Sequence, residues 1–302
     1  MDRRFARDLR KISQDRESGA AELAIKAASA FDVWLRRESE PREADIVSAV
    51  RAIPDAQPSM APLWNLANHL GLAWEASRDP CLLSRRAREY ARRLGRSRCR
   101  IAVRFAAFAR SATGSEIITY SYSSTVAAAL LRARRYICDV RCSESRPGNE
   151  GRRMAAELAR AGIPVSYEID AGLFSGPLEG KLIVLGADAV LPGGVMAKTG
   201  CEALLKIAVH ARSQVFMLAD TSKFWPQPKS CRLREWTWGN KADVWPDPPK
   251  GVALRISLLE SFSLPRGCRL RFITELGAMT PLQVRRYLSR MKLSTLLHSQ
   301  SN

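Results

Sequence analysis

The stretch "ITYSYSSTVAAALLRARR", residues 118–135, decides the fold, because a strand pattern changes into a helix pattern inside it. Isoleucine and threonine open it, an alanine- and leucine-rich run closes it, and hydroxyl side chains fill the turn between them. A strand feeding directly into a helix is the unit from which open α/β sheets are built. The free N–H groups that begin such a helix attract an anion, unless one hydroxyl merely caps them.

The alternation of strand and helix patterns continues towards the C-terminus. Apolar, β-branched runs are separated by helical patterns of roughly 10–15 residues, which predicts a mainly parallel sheet covered on both faces. The further runs are 136–142, 164–169, 181–185 and 214–219. Upstream, "RIAVRFAAFA" and "EIITY" flank the turn signal "RSATGS" and predict a hairpin.

The first 97 residues have a helical pattern. Apolar residues recur at three- and four-residue spacing in three stretches, and a fourth, basic helix is predicted over about 81–94, ending at Gly95. The three stretches are 18–39, 41–53 and 58–77. We therefore predict an α/β protein with a helical N-terminal domain, 1–97, and a ligand-binding domain built on a mainly parallel sheet, 98–302.

The chain is strongly basic. Its 302 residues carry a net charge of +18, and ten arginines but one glutamate lie between Arg85 and Arg110. Such a cluster suits RNA, an acidic protein or phosphorylated small molecules, or simply coats a solvated helix. No apolar run is long enough to span a membrane, and the N-terminus has no apolar signal-peptide core. We expect a cytoplasmic protein without membrane contact.

The cysteines and histidines indicate no metal site. The seven cysteines include no CxxC pair, and no metal-ligand spacing links the three histidines. We predict neither a metal nor a cofactor. A proline- and tryptophan-rich segment, Trp225 to Trp245, is expected to form a long loop whose tryptophans line a pocket or an interface.

Ligands of parallel α/β sheets bind at the carboxyl ends of the strands. Four loops meet that condition, and they are "SYSSTV", "SESRPGNEG", "DAGLF" and "GADAVLPGGVMAKTG". The first loop offers Ser121, Ser123, Ser124 and Thr125 as anion-binding hydroxyls at a helix N-terminus. A serine nucleophile is disfavoured there, because the chain has no GxSxG elbow and no histidine in these loops.

Charged residues in the other loops complete the predicted site. Arg146 is placed to form a bidentate pair with a phosphate or, alternatively, with Glu150. Asp188 follows a strand and precedes Lys198 by ten residues, which suits proton transfer and anion binding. The alternative is that Asp188 only caps a turn.

Taken in order, these loops resemble a superfamily. It joins the alpha, beta and delta subunits of translation initiation factor 2B to methylthioribose-1-phosphate isomerase and ribose-1,5-bisphosphate isomerase. The resemblance covers nearly the whole chain. Its motifs are "QPSMAPLWNLA" (57–67), "IITYSYSSTV" (117–126), "ESRPGNEGRRMAAELARAGIPVSYEIDAG" (144–172), "LGADAVLPGGVMAKTG" (185–200) and "FITELGAMTPLQV" (272–284).

The resemblance implies a helical domain followed by a Rossmann-like domain, and dimers formed through the second domain. It also implies that Asp188 matches the catalytic aspartate of the isomerases, whereas their catalytic cysteine falls on Ser121. A hydroxyl is a far weaker acid than a thiol near neutral pH. Three further family residues are replaced, an arginine by Ser18, an asparagine by Ala197 and a threonine by Cys201.

The sequence therefore supports a protein that binds a phosphorylated sugar or nucleotide, as a homodimer or larger homo-oligomer. If active, it would be an aldose–ketose isomerase acting on a sugar phosphate. One alternative is a non-catalytic regulatory protein of translation that binds RNA or an acidic partner. Another is different chemistry at the old site, with Asp188 as the base.

Overall fold

The computed structural model describes residues 2–15, 18–226 and 241–297. Contacts divide the chain into two compact units. Among the described residues, the first unit holds those up to Ser97 together with 222–226 and 287–297. The second unit holds 98–221 and 241–286.

Helices build the first unit. Their apolar faces bury one core, in which Phe5 stacks on Trp34 and Phe31 meets both rings edge-to-face, with centroids 5.4–5.8 Å apart. The buried Gln57 donates to the carbonyls of Ile12 and Asp15 at 3.1 Å. The helices are α1 (Arg3–Gln14), α2 (Ala20–Arg37), α3 (Glu43–Ala56), α4 (Ala61–Ser77) and the first part of α5 (Pro80–Ser111).

The predicted hairpin before residue 120 is wrong, and so is the predicted helix end at Gly95, because α5 runs unbroken from Pro80 to Ser111. Its buried residues recur every three or four positions, which is the helical period and not the alternation of a strand. They include Leu83, Ala87, Tyr90, Leu94, Ser97, Ile101, Phe105 and Ala109. Gly95 costs this helix about 1 kcal/mol relative to alanine, and the buried face outweighs that cost.

A seven-stranded sheet forms the centre of the second unit. Its order is β10-β9-β7-β4-β1-β2-β3, with only β10 antiparallel to its neighbour. The predicted α/β class with a mainly parallel sheet is confirmed. The strands are β1 (Ser115–Thr119), β2 (Ile137–Ser143), β3 (Val165–Glu168), β4 (Leu182–Gly186), β7 (Gln214–Leu218), β9 (Arg269–Ile273) and β10 (Ala278–Met279).

A smaller antiparallel sheet lies in the same unit, with the order β5-β6-β8. Its strands are β5 (Ala189–Leu191), β6 (Gly194–Lys198) and β8 (Leu259–Ser263). The predicted loop "GADAVLPGGVMAKTG" is therefore largely a hairpin, and the predicted loop "DAGLF" is a short helix. The remaining helices are α6 (Ser124–Ala133), α7 (Gly151–Arg160), α8 (Asp170–Ser175), α9 (Cys201–His210) and α10 (Pro281–Ser289).

The tryptophan-rich segment falls mostly on residues 227–240, which lie outside the described residues. At its ends, Trp225 is buried and Trp245 is 45% exposed. Within the described ranges, the structure holds no helix with the length and apolar character needed to cross a membrane.

Gly95 tests the unbroken helix. Gly95→Ala should raise the free energy of unfolding by about 0.5–1 kcal/mol, because alanine loses less backbone entropy and a Cβ at this position meets no atom within 4 Å. Urea denaturation measures it. The matched control is Gly114→Ala, where φ is +83° and an equally unobstructed Cβ should destabilise by about 1 kcal/mol. A loss of stability for both variants would show that Gly95 ends the helix.

Candidate functional site

The strand order reverses at β1. From β1 the chain adds β2 and β3 on one side, then crosses over to add β4 and β7 on the other. Ligands of open α/β sheets bind in the crevice outside the carboxyl ends of the strands at such a reversal. Here the crevice is flanked by the turn after Thr119 and the turn after Gly186.

These two turns touch. Ser123 is the N-cap of α6, and its Oγ accepts the Val126 N–H at 3.4 Å. A Cβ on Gly186 would lie 2.7 Å from the same Oγ, so the close approach of the β4 end to α6 requires glycine at this position. Gly186 precedes Asp188 by two residues, so the start of α6 contacts the chain just before Asp188.

The four predicted hydroxyls occupy different environments. Ser123 caps the helix, Thr125 is buried and Ser124 is exposed on the first turn of α6. Ser121 adopts the left-handed conformation, with φ +65°, and its N–H donates to Ser145 Oγ at 2.7 Å. The turn after β1 is thereby tied to the loop after β2.

The carboxylate of Asp170 organises the loop after β2. It accepts hydrogen bonds from Ser143 Oγ at 2.6 Å, from the Ser145 N–H at 2.8 Å and from the Arg146 N–H at 2.8 Å. The Arg146–Pro147 peptide is cis, and the Arg146 side chain is exposed. Asp170 is a residue that sequence reasoning missed as part of the site. The available signal was Asp170 itself, an acidic residue directly after a predicted strand in the sequence "EIDAG".

Lys198 lies at the end of β6 and is only 7% exposed. Its Nζ contacts both carboxylate oxygens of Glu150 at 2.8 Å. The predicted alternative of an Arg146–Glu150 pair is therefore wrong, because the buried ammonium has the greater need of a counter-charge. This ion pair joins the small sheet to the loop that precedes α7.

Asp188 sits between β4 and β5, half-buried, and its N–H donates to the Met196 carbonyl at 2.8 Å. Tyr120, the residue after β1, donates its hydroxyl to the Thr199 carbonyl at 3.0 Å. Burial first, and then the negative charge of Asp170, raise the pKa of Tyr120. These bonds tie the β4–β5 turn to β6 and the residue after β1 to the residue after β6.

The N-terminus of α9 already holds an anion of the chain itself. The Glu260 carboxylate accepts the N–H groups of Gly200 at 3.1 Å and Glu202 at 2.7 Å. Burial raises the pKa of this carboxyl. Cys201 lies between the two donors, fully buried, and burial together with the charges of Glu260 and Asp188 raises the pKa of its thiol.

Few side chains at this crevice are suited to donate or accept a proton. An effective proton donor needs a pKa near the working pH. The hydroxyl of Tyr120 and the thiol of Cys201 have raised pKa values and hold their protons too tightly. Ser121 offers an alcohol. Asp188 is the remaining predicted base. Within the described ranges, no group of three or more potential metal ligands occurs.

Ala197 and Ser18 stand at two positions where the resemblance implies a different residue. Ala197 is buried in β6, opposite Glu260. Ser18 accepts a hydrogen bond from Lys26 Nζ at 2.7 Å within the first unit. Both replacements are thus accommodated locally by packing or by a short polar contact.

The Rossmann-like sheet and its loop-built crevice place the protein among the open α/β proteins. The family model of the Initiation factor 2 subunit family matches residues 16–246, and the chain belongs to that family. An eIF-2B subunit 2-like protein of Pyrococcus horikoshii is 33% identical over 228 residues, 74% of this chain and 80% of the relative. Ribose 1,5-bisphosphate isomerase of Archaeoglobus fulgidus is 24% identical over 279 residues, 90% of this chain and 88% of the enzyme.

Solved structures agree with the fold. The crystal structure of Pyrococcus horikoshii translation initiation factor eIF-2B superposes with a TM-score of 0.75 at 29% identity, covering 93% of this chain and 98% of that one. The tetrameric eIF2B-beta2-delta2 complex from C. thermophilum gives a TM-score of 0.73 at 16% identity, covering 94% and 93%. The second likeness shows the shared fold, in a neighbour that is itself an oligomer.

The ion pair between the buried Lys198 and the partly exposed Glu150 has a measurable role in stability. Glu150→Gln leaves the Lys198 ammonium without its counter-ion and should lower the free energy of unfolding by about 1–3 kcal/mol. Glu202→Gln is the matched control, since the Glu202–Lys206 pair has the same 2.8 Å separation but is largely exposed, and should cost less than about 1 kcal/mol. Urea denaturation compares the two. Equal losses would show that burial adds nothing to the Glu150–Lys198 pair.

Proposed function

We propose that this chain binds a phosphorylated sugar or nucleotide in the crevice between β1 and β4. The phosphate lies at the start of α6, against Ser123, Ser124 and Thr125, and the sugar faces Asp188. The observation that carries the proposal is the contact of Ser123 with Gly186 at the sheet reversal. This contact supports the proposal because it brings the N-terminus of α6 next to the end of β4, two residues before Asp188.

Charge around the crevice supports this location. Arg146 has an exposed guanidinium on a loop whose backbone is fixed by Asp170, so a cation is presented on a rigid support. An ammonium has three donors. In Lys198, two contacts go to Glu150, and a phosphate would use the third.

We further propose that this chain has kept the ligand binding of the isomerases but has lost their reaction. Moving a proton between two sugar carbons needs a base and an acid of matched pKa. Asp188 stands where the base belongs, whereas Ser121 stands in the position of the family's catalytic cysteine. The raised pKa values of Tyr120 and Cys201 leave neither as a substitute acid.

We propose that the protein acts in the cytoplasm as a homodimer or larger homo-oligomer, assembled through its second unit. The family membership and the oligomeric state of the C. thermophilum neighbour support this assembly. Two leucines of the second unit, Leu276 and Leu282, are each 57% exposed and give that unit apolar surface for a partner copy.

Phosphate recognition is tested by titration calorimetry with ribose 5-phosphate, adenosine monophosphate and their unphosphorylated parents. Binding should require the phosphate, and Arg146→Gln should weaken it about tenfold or more, the worth of a hydrogen bond to a charged group. Arg160→Gln removes an equally exposed arginine from the far end of α7 and should leave affinity unchanged. Equal binding of ribose or adenosine, or equal loss in both variants, contradicts the proposal.

The missing acid is tested by Ser121→Cys. We expect the natural protein to show no turnover of aldose 1-phosphates, and the variant to produce ketose slowly, because a thiol is the stronger acid by several pKa units. Ketose formation is followed by NMR. Adding Asp188→Asn should abolish the gained activity. Turnover by the natural protein, or a gain that survives the loss of the carboxylate, would overturn the assignment.

A further inference from the structure

A second basic feature lies at the opposite edge of the large sheet. A cavity of about 490 Å³ is formed by the end of α5, the last residues of α6 and the link from α6 to β2, with residues 131–136 on this second side. Arg110 on α5 faces three arginines at the end of α6, and the three are Arg132, Arg134 and Arg135. These residues precede the amino ends of β1 and β2. The groove is therefore separate from the crevice at the carboxyl ends.

The four arginines are exposed. Within the part of the chain that the structure describes, none of the four guanidinium groups has a hydrogen bond or an ion pair with a protein group. The C-termini of α5 and α6 lie close by, and each helix dipole gives its C-terminus roughly half a negative charge. Four positive charges against about one negative leave the groove with a net charge of about +3, which favours an anionic partner.

The floor of the groove is apolar. Val103 is 48% exposed, and Ala106, Leu131 and the half-buried ring of Tyr136 complete the surface. An acidic peptide would satisfy the guanidinium groups but offers few flat apolar groups to cover this floor. Nucleotide bases have apolar faces that stack on tyrosine, while the linking phosphates accept bidentate hydrogen bonds from arginine.

We propose that this groove, named here the α5–α6 arginine groove, binds single-stranded RNA. The phosphates pair with Arg110, Arg132, Arg134 and Arg135, and a base stacks on Tyr136. Arg100 is exposed and lies three residues before Val103 on α5, so it continues the same helical face and extends the positive surface beyond one nucleotide. This continuation favours a chain of nucleotides over a single one. Recognition rests on the backbone and on stacking, and thus carries little sequence preference.

The test uses the full chain and a fluorescein-labelled 12-nucleotide oligouridylate, with affinity followed by fluorescence anisotropy from 50 to 300 mM salt. The groove variant Arg134→Glu/Arg135→Glu should bind at least tenfold more weakly. Its slope of log affinity against log salt should fall by about 1.4, from roughly 0.7 per lost phosphate contact. The control variant Arg160→Glu/Arg266→Glu carries the same charge change on exposed arginines outside the groove, and should lose less than threefold.

Stacking is tested separately by Tyr136→Leu, which keeps the apolar floor and removes the aromatic ring. It should weaken binding several-fold with the salt slope unchanged. Circular dichroism verifies that each variant is folded. Equal losses in the groove and control variants would reduce the effect to net charge and overturn the proposal. So would oligoglutamate binding more tightly than the RNA, or the absence of RNA binding by the natural protein at 50 mM salt.

Discussion

Strand β1 is hydrogen-bonded in parallel to β2 on one side and to β4 on the other, and the whole candidate site depends on this double pairing. A parallel neighbour on each side forces the loops that follow all three strands onto one edge. The chain leaves β1 and β4 towards opposite sides of the sheet, which opens a crevice between the two exits. The hydroxyl turn and Asp188 share that crevice although 63 to 67 residues separate them along the chain.

Polar groups, rather than apolar packing, fix the loops at this edge. Asp170 holds the loop after β2, Ser145 links it to the turn after β1, and Glu150 links it to the end of β6. Hydrogen bonds to charged groups are stronger than neutral ones and leave less freedom in the loop backbone. The loops that carry the predicted site residues are thus held to one another by polar contacts.

The sequence predicted the sheet well, because its central strands are continuous apolar runs bounded by helical periods. It failed for residues 98–111, since isoleucine, valine and phenylalanine suggested a strand while the true signal was the spacing of Ile101, Phe105 and Ala109. The candidate residues could be named from loop positions and resemblance. Their partners could not, because the pairing of Glu150 with Lys198 depends on a contact 48 residues apart that no local pattern encodes.

The capping of α9 by Glu260 also has a consequence for how the chain acquires its structure. The carboxylate lies 58 positions after Glu202, one of the donors that it satisfies. During synthesis, α9 therefore leaves the ribosome before its cap exists, and its first N–H groups stay hydrated until β8 pairs with β6. Non-local closures of this kind slow folding relative to local ones. The cap of α9 is therefore complete only when the strand that carries Glu260 has joined the small sheet.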